Sequence, residues 1–348
     1  MNKRTILSVA FPFARISEST AGGAEQILNH LDLAITSSGN NSLVFAQKGS
    51  SVNGQLIEFD FTCDLIDDAF RKKFYKHYRR KLSEIIWNKK IDLIHFHGLD
   101  FAEYFPEADI AALVTLHLPL DWYKAESFSI KGVHYNCVSS FQFLKYRSKI
   151  GGPVSLIENG VDIPECIPVR GTGKYTLSMG RICPEKGYHL AIKASRNVKL
   201  PFVLAGSVYP YDEHLIYFHQ KIRPAIDNNE CVFIGEVGNV RKKRLFRHAV
   251  CLLVPSLVEE TSSLVAMEAM AFGVPVVAFK AGALNDLIRQ GENGFLVNDE
   301  MEMSEAILEI AKIDPIKCHN MAKDYYAVSR MTSQYLQLYE NIIDGNSF

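Results

Sequence analysis

The sequence is short of paired cysteines, of an excess of either charge, and of long apolar runs. Its seven cysteines, Cys63, Cys137, Cys166, Cys183, Cys231, Cys251 and Cys318, are an odd number with no Cys-x-x-Cys pair. That speaks against a disulfide framework or a structural zinc site and fits a reducing compartment. Thirty-eight Lys and Arg face 39 Asp and Glu, a net charge of −1, so bulk attraction to nucleic acid is not encoded and no nucleic-acid partner is expected. The longest uncharged apolar stretch, 269–279, contains Gly273 and Pro275 and is too short to span a bilayer. Near the start, Lys3 and Arg4 precede an apolar run with the look of an export signal. Pro12 and Arg15 interrupt it, and a first buried strand in a cytoplasmic protein is the expectation.

What is present is globular material: 47% hydrophobic and 22% charged residues in 348, about twice the usual domain of roughly 150 residues. Short apolar runs recur at 6–10, 43–46, 93–96, 113–116 and 135–138, then at 175–179, 202–205, 232–234, 251–254 and 276–279, with helix-length segments between them. Continuous apolar strands alternating with helices predict parallel sheets covered on both faces, an α/β class. Gly151-Gly152-Pro153 and a loose stretch at 164–174, with Pro168, Gly171 and Gly173, separate the two sets. The expected division is 1–162 and 163–328. Met331, Tyr335, Leu338 and Ile342 then mark a terminal helix within 329–348. In such sheets ligands bind beyond the carboxyl ends of the strands, so chemistry is sought in the loops that follow them.

Gly22-Gly23-Ala24-Glu25 opens a helical pattern after the first strand. Glycines there either let a phosphate approach free backbone N–H groups or simply make a tight turn. After the strand at 175–179, Arg181 and Lys186 bracket a turn containing Pro184. The two cations either neutralise a diphosphate without a metal ion or are solvated surface charges. After the strand at 251–254, Glu260 sits in a Ser/Thr-rich loop and Glu268 falls inside an otherwise apolar helix. A carboxylate in that setting needs a partner, either ligand hydroxyl groups or a neighbouring cation.

Together these residues resemble the retaining glycosyltransferases of family 4. The resemblance is carried by the Glu-x7-Glu element from Glu260 to Glu268 with its trailing Gly273, Pro275, Val276 and Val277, and by Gly-Arg-x4-Lys-Gly from Gly180 to Gly187. Glu158-Asn-Gly-Val-Asp162, Ile94-His95-Phe96-His97, Thr115-Leu116-His117 and Asn293 to Val297 also match. It implies a GT-B fold, two Rossmann-like parallel-sheet domains facing across a cleft, with the C-terminal helix packing back on the N-terminal, acceptor-side domain.

The resemblance further implies that the second domain binds a UDP- or GDP-sugar, with no cofactor and no metal. Arg181 and Lys186 would hold the diphosphate and Glu268 the ribose hydroxyls. Glu260, with Ser262, Ser263 and Leu264, would border the donor sugar. Gly235, Glu236 and Val237 would flank the base. Gly22 and Gly23 would approach the phosphates, and His117 the transferred sugar. The catalytic candidates are Glu260, His117, Arg181 and Lys186, acting on a glycan or lipid-linked acceptor with retention of configuration. Ser263 departs from the Gly that many relatives carry, and the N-terminal half is short for the family. His95 and His97 lack an acidic third ligand nearby and are poor evidence of a metal, at least one of them being core packing. A nucleotide-sugar epimerase or hydrolase of the same architecture, or a non-catalytic binding module, are the rival readings.

One further segment is charged. Arg71, Lys72, Lys73, Lys76, Arg79, Arg80 and Lys81 lie in a helical stretch whose Phe70, Phe74, Tyr78, Leu82 and Ile85 share a face. Such a helix lies on an anionic membrane surface, making the protein peripheral on the inner face, or packs its aromatic face on the sheet and solvates its charges, or, as a third alternative, binds RNA or another polyanion.

Overall fold

The computed structural model describes residues 3–17, 22–61, 67–165 and 173–345. Cys63, Cys166 and most of the loose 164–174 segment lie outside them. The chain forms two units, one running to Glu158 and resuming at Met331, the other Asn159–Arg330.

The first unit holds strands β1 (Thr5–Val9), β2 (Asn41–Gln47), β3 (Gln55–Phe59), β4 (Leu93–Phe96), β5 (Ala112–Leu116), β6 (Val133–Cys137) and β7 (Val154–Leu156), with helices α1 (Gly23–Ser37), α2 (Asp68–Asn88) and α3 (Ser140–Tyr146). The second holds β8 (Tyr175–Met179), β9 (Phe202–Ala205), β10 (Cys231–Phe233), β11 (Ala249–Val254), β12 (Val276–Phe279) and β13 (Gly294–Val297). Its helices are α4 (Tyr188–Asn197), α5 (Asp212–Tyr217), α6 (Asn239–His248), α7 (Leu264–Ala271), α8 (Leu284–Leu287), α9 (Glu300–Glu309) and α10 (Pro315–Tyr326). A last helix, α11 (Val328–Ile343), carries the chain from the second unit to the first.

Both sheets are parallel, in the orders β3-β2-β1-β4-β5-β6-β7 and β10-β9-β8-β11-β12-β13. The three strands that apolar runs did not reveal, β3, β7 and β13, are all sheet edges. An edge strand is buried on fewer sides, and its sequence need not be a continuous apolar run. Aspartates cap three helices: Asp67, Asp299 and Asp314 accept from Phe70, Met301 and Ile316 N–H at 2.7, 2.9 and 2.9 Å, each worth about 1 kcal/mol.

The aromatic face of α2 is core. Tyr78 stacks on Phe45 of β2 at 4.4 Å, and Phe59 of β3 meets Tyr78 at 4.9 Å and Phe74 at 5.2 Å. The packed-helix alternative is therefore the one adopted for these rings, and they are unavailable for insertion into lipid. Arg71 and Arg79 are also committed internally, Arg71 to Asp100 at 3.6 Å and Arg79 to the Glu103 carbonyl at 2.7 Å. Lys72, Lys73, Lys76, Arg80 and Lys81 remain exposed.

α11 docks on the first sheet through a buried polar network. Tyr339 Oη lies 2.9 Å from His95 Nδ1, while Tyr335 Oη meets Thr115 Oγ1 at 2.9 Å and accepts from Asn136 Nδ2 at 2.8 Å. Where the chain passes between units, Val161 N donates to Tyr326 O at 2.8 Å and Val328 N to Val161 O at 2.9 Å.

Candidate functional site

In the second sheet the order reverses between β8 and β11, the position at which α/β sheets open a crevice. The loops leaving these two strands touch there. Gly187 has a left-handed backbone (φ +62°), and a Cβ on it would fall 2.3 Å from the Pro255 carbonyl, so only glycine allows this approach. Leu257 N donates to Glu185 O at 2.7 Å across the same gap. The contact brings Lys186 Nζ to 2.5 Å from Glu260 Oε1, which also accepts from Ser256 Oγ. Glu260 is only 8% exposed. Its carbonyl accepts from Ala283 N at 2.8 Å, beside Gly282 (φ +61°), where a Cβ would lie 2.4 Å from that carbonyl oxygen.

Immediately after Glu260 the chain turns into α7. Ser263 precedes the helix and gives it no side-chain cap, and Ser262 Oγ is buried with no partner. Unmet N–H groups at a helix start, an unpaired hydroxyl and a nearby Lys form a setting for an anion. Leu264 begins the helix, half-buried. Further along α7, Glu268 pairs with Lys242 of α6, so of the two partners open to it the protein itself supplies the cation. Burial is the largest influence on the Glu268 carboxyl and raises its pKa, with Lys242 opposing.

Arg181 is exposed at the mouth of the β8 loop. Gly235, Glu236 and Val237 leave β10, two strands away from β8 and so about 10 Å along the sheet. There Glu236 accepts from Ser207 Oγ at 2.9 Å, and Gly206 N donates to Gly235 O at 2.8 Å. The residues named from sequence in this unit thus line the carboxyl edge of one sheet. Asn293 does not join them: it is fully buried and holds the 287–293 turn, accepting from Arg289 N and donating to Leu287 O.

In the first unit, His117 directly follows β5 and stacks on His97, which directly follows β4, with His97 Nδ1 3.0 Å from His117 Nε2. His95 is fully buried between Tyr339 and Thr115, at 2.9 and 2.7 Å. Burial depresses all three imidazoles, His117 to about 3, so each is neutral at physiological pH. Gly22 precedes α1, and the Glu25 carboxylate folds back over it, 1.9 Å from where a Gly22 Cβ would stand. Any phosphate at this helix start would have to displace that carboxylate.

Residues 163–327 match the model of the family glycosyl transferases group 1. The match covers most of the second unit. An uncharacterised glycosyltransferase of Methanocaldococcus jannaschii is 27% identical over 257 residues, 67% of this chain and 69% of that one. In fold the chain is similar to sucrose-phosphate synthase from Thermosynechococcus elongatus, with TM-score 0.80 and 18% identity over 99% of this chain and 100% of that one. It is also similar to the Anabaena protein HepE in complex with UDP-glucose, with TM-score 0.73 and 19% identity over 97% and 99%. Its two parallel-sheet domains have the GT-B fold.

Arg181, Lys186, Glu260 and Glu268 all fall inside the matched segment. Sequence reasoning missed Ser256, Lys242 and His97 as members of these clusters. Lys242 is one cation in the run Arg241-Lys242-Lys243-Arg244, and only the phase of α6 against α7 selects it. His97 was visible in the motif, but its link to His117 depends on β4 and β5 being neighbours.

Proposed function

We propose that the chain is a retaining, metal-independent glycosyltransferase that moves a hexose or hexosamine from a UDP- or GDP-sugar to a glycan or lipid-linked acceptor, in surface polysaccharide or glycolipid synthesis. The observation that carries this reading is the Lys186–Glu260–Ser256 cluster beside the uncapped start of α7, with Lys242–Glu268 farther along the same helix.

Cleavage of the donor builds negative charge on the leaving diphosphate and positive character on the sugar. Lys186 and Arg181, with the free N–H groups of α7 and Ser262 Oγ, stabilise the first. Glu260, released by Lys186 when the diphosphate binds, faces the second. Glu268 accepts from the ribose hydroxyls, and residues 235–237 border the base. His117 offers the sugar a neutral imidazole. Peripheral attachment to an anionic membrane rests on Lys72, Lys73, Lys76, Arg80 and Lys81, and on Trp87, which is 89% exposed on the same helix and in register with Lys73, Lys76 and Arg80 at helical spacing.

The test is nucleotide release from a panel of UDP-, GDP- and ADP-sugars with candidate acceptors, in a chelator, with the anomeric configuration of the product read by NMR. Release only when acceptor is present, with retention, is expected. No release with any donor, or release that appears only when magnesium or manganese is added, would overturn the proposal.

A further inference from the structure

A second cluster lies behind the loop that carries Arg181 and Lys186. Cys183 precedes a single 3-10 turn, Pro184–Lys186, Glu185 sits in that turn, and His214 projects from α5. A thiol sulfur, a carboxylate oxygen and an imidazole nitrogen from these residues lie within 4.8 Å of one another. Cys183 is 2% and His214 8% exposed. Glu185 Oε2 and His214 Nδ1 are both buried with no hydrogen-bond partner. Tyr209 and Tyr211 meet the His214 ring edge-on at 6.5 and 5.2 Å, walling that side of the cluster.

Buried polar atoms without partners are costly, and two in one cluster with a thiol, whose own contact is a long 3.6 Å approach to the Arg181 carbonyl, call for a common partner. A cation is the partner that can accept lone pairs from all three. The donor set decides which cation. One sulfur, one nitrogen and one oxygen suit a borderline-soft, tetrahedral ion, whereas calcium and magnesium require mainly oxygen ligands. Tetrahedral bonds of about 2.0–2.3 Å place ligand atoms about 3.6 Å apart, so closure from 4.8 Å takes about an ångström of side-chain movement.

We propose that Cys183, Glu185 and His214 bind one zinc ion, with water in the fourth position, and that the ion locks the turn from which Arg181 and Lys186 project. It is a fastening for the loop and takes no part in the transfer chemistry. The binding claim is independent of the transferase reading; only the consequence for the loop draws on it. The spacing hid the site, because His214 is 29 residues beyond Glu185 and no compact Cys/His motif marks it.

The full chain, stripped of metal and dialysed, is titrated with zinc in competition with a chromophoric chelator, and separately with cobalt(II). One zinc per chain is expected, together with a thiolate-to-cobalt charge-transfer band in the near ultraviolet. Cys183→Ser and His214→Gln should each weaken zinc binding about 100-fold or more, by analogy with the 10–100-fold losses seen for outer-shell partners. Absence of the cobalt band, or unchanged zinc affinity in both variants, overturns the site. Circular dichroism establishes that the variants are folded, and Glu185→Gln replaces Cys183→Ser if the buried serine prevents folding. Zinc should also slow amide hydrogen exchange across residues 181–187. Exchange that zinc leaves unchanged overturns the locking role while leaving the transferase proposal untouched.

Discussion

Lys186→Met strands the Glu260 carboxylate in a pocket where, among the described residues, Ser256 alone still donates to it. Removing one partner of a fully buried ion pair costs about 3–5 kcal/mol. The Lys186 side chain is 24% exposed and that of Glu260 10%, so water offsets part of this and about 2–3 kcal/mol is expected. Glu260→Gln leaves a cation that can turn to solvent and should cost about 1 kcal/mol. The double variant should lose about 1–2 kcal/mol less than the sum of the singles, because neither unpaired charge remains. Urea is the denaturant of choice, since guanidinium chloride would screen the pair. Trp87 and Trp122 both lie in the first domain, so fluorescence follows that domain and the additional circular dichroism change follows the second. Nucleotide binding supplies an independent sign. Lys186→Met should weaken UDP or GDP binding about tenfold or more, whereas Glu260→Gln should leave it unchanged or tighter by removing a competitor for Lys186. Single-variant losses that add within about 0.5 kcal/mol, or a Glu260→Gln protein that binds nucleotide as poorly as Lys186→Met, would refute the coupling.

Glu268→Gln should weaken nucleotide binding about tenfold and remove the preference for a nucleotide with ribose hydroxyls over its 2′,3′-dideoxy analogue; a preference that persists would end the ribose assignment. His95, His97 and His117 are neutral in the fold but protonate near 6.5 when unfolded, so the unfolded state binds more protons below that pH. Stability of the first domain should therefore fall as pH drops from 6.5 toward 5, by up to about 1.4 kcal/mol per pH unit for each histidine, and for His117 the loss continues to about 3. A urea midpoint by tryptophan fluorescence that is flat from pH 7.5 to 5 would contradict this. Replacing Lys72, Lys73 and Lys76 with Glu should abolish flotation with anionic vesicles at about 1 kcal/mol per cation removed, and equal recovery of the native chain with neutral and anionic vesicles would exclude electrostatic attachment.

Ten strands were legible in the sequence because both faces of a central parallel strand are covered, which writes a continuous apolar run. The alternation of those runs with helices, and the loops that follow them, was enough to point to Arg181, Lys186, Glu260 and Glu268 as residues to watch. The edge strands β3, β7 and β13 were not legible, because their burial depends on which strand lies beside them. Nor could sequence choose between partners for Glu268. That choice went to Lys242 because α6 leads into β11 and α7 follows it, and helix phase turns that cation, not Arg241 or Lys243, toward the carboxylate. The aromatic stripe of α2 likewise satisfied a membrane face and a core face equally well until Phe45 and Phe59 were seen beneath it. Composition and periodicity record what each residue needs, a partner or a dry surface. Which neighbour supplies it is decided only when strand order brings residues far apart in the chain to one edge of a sheet.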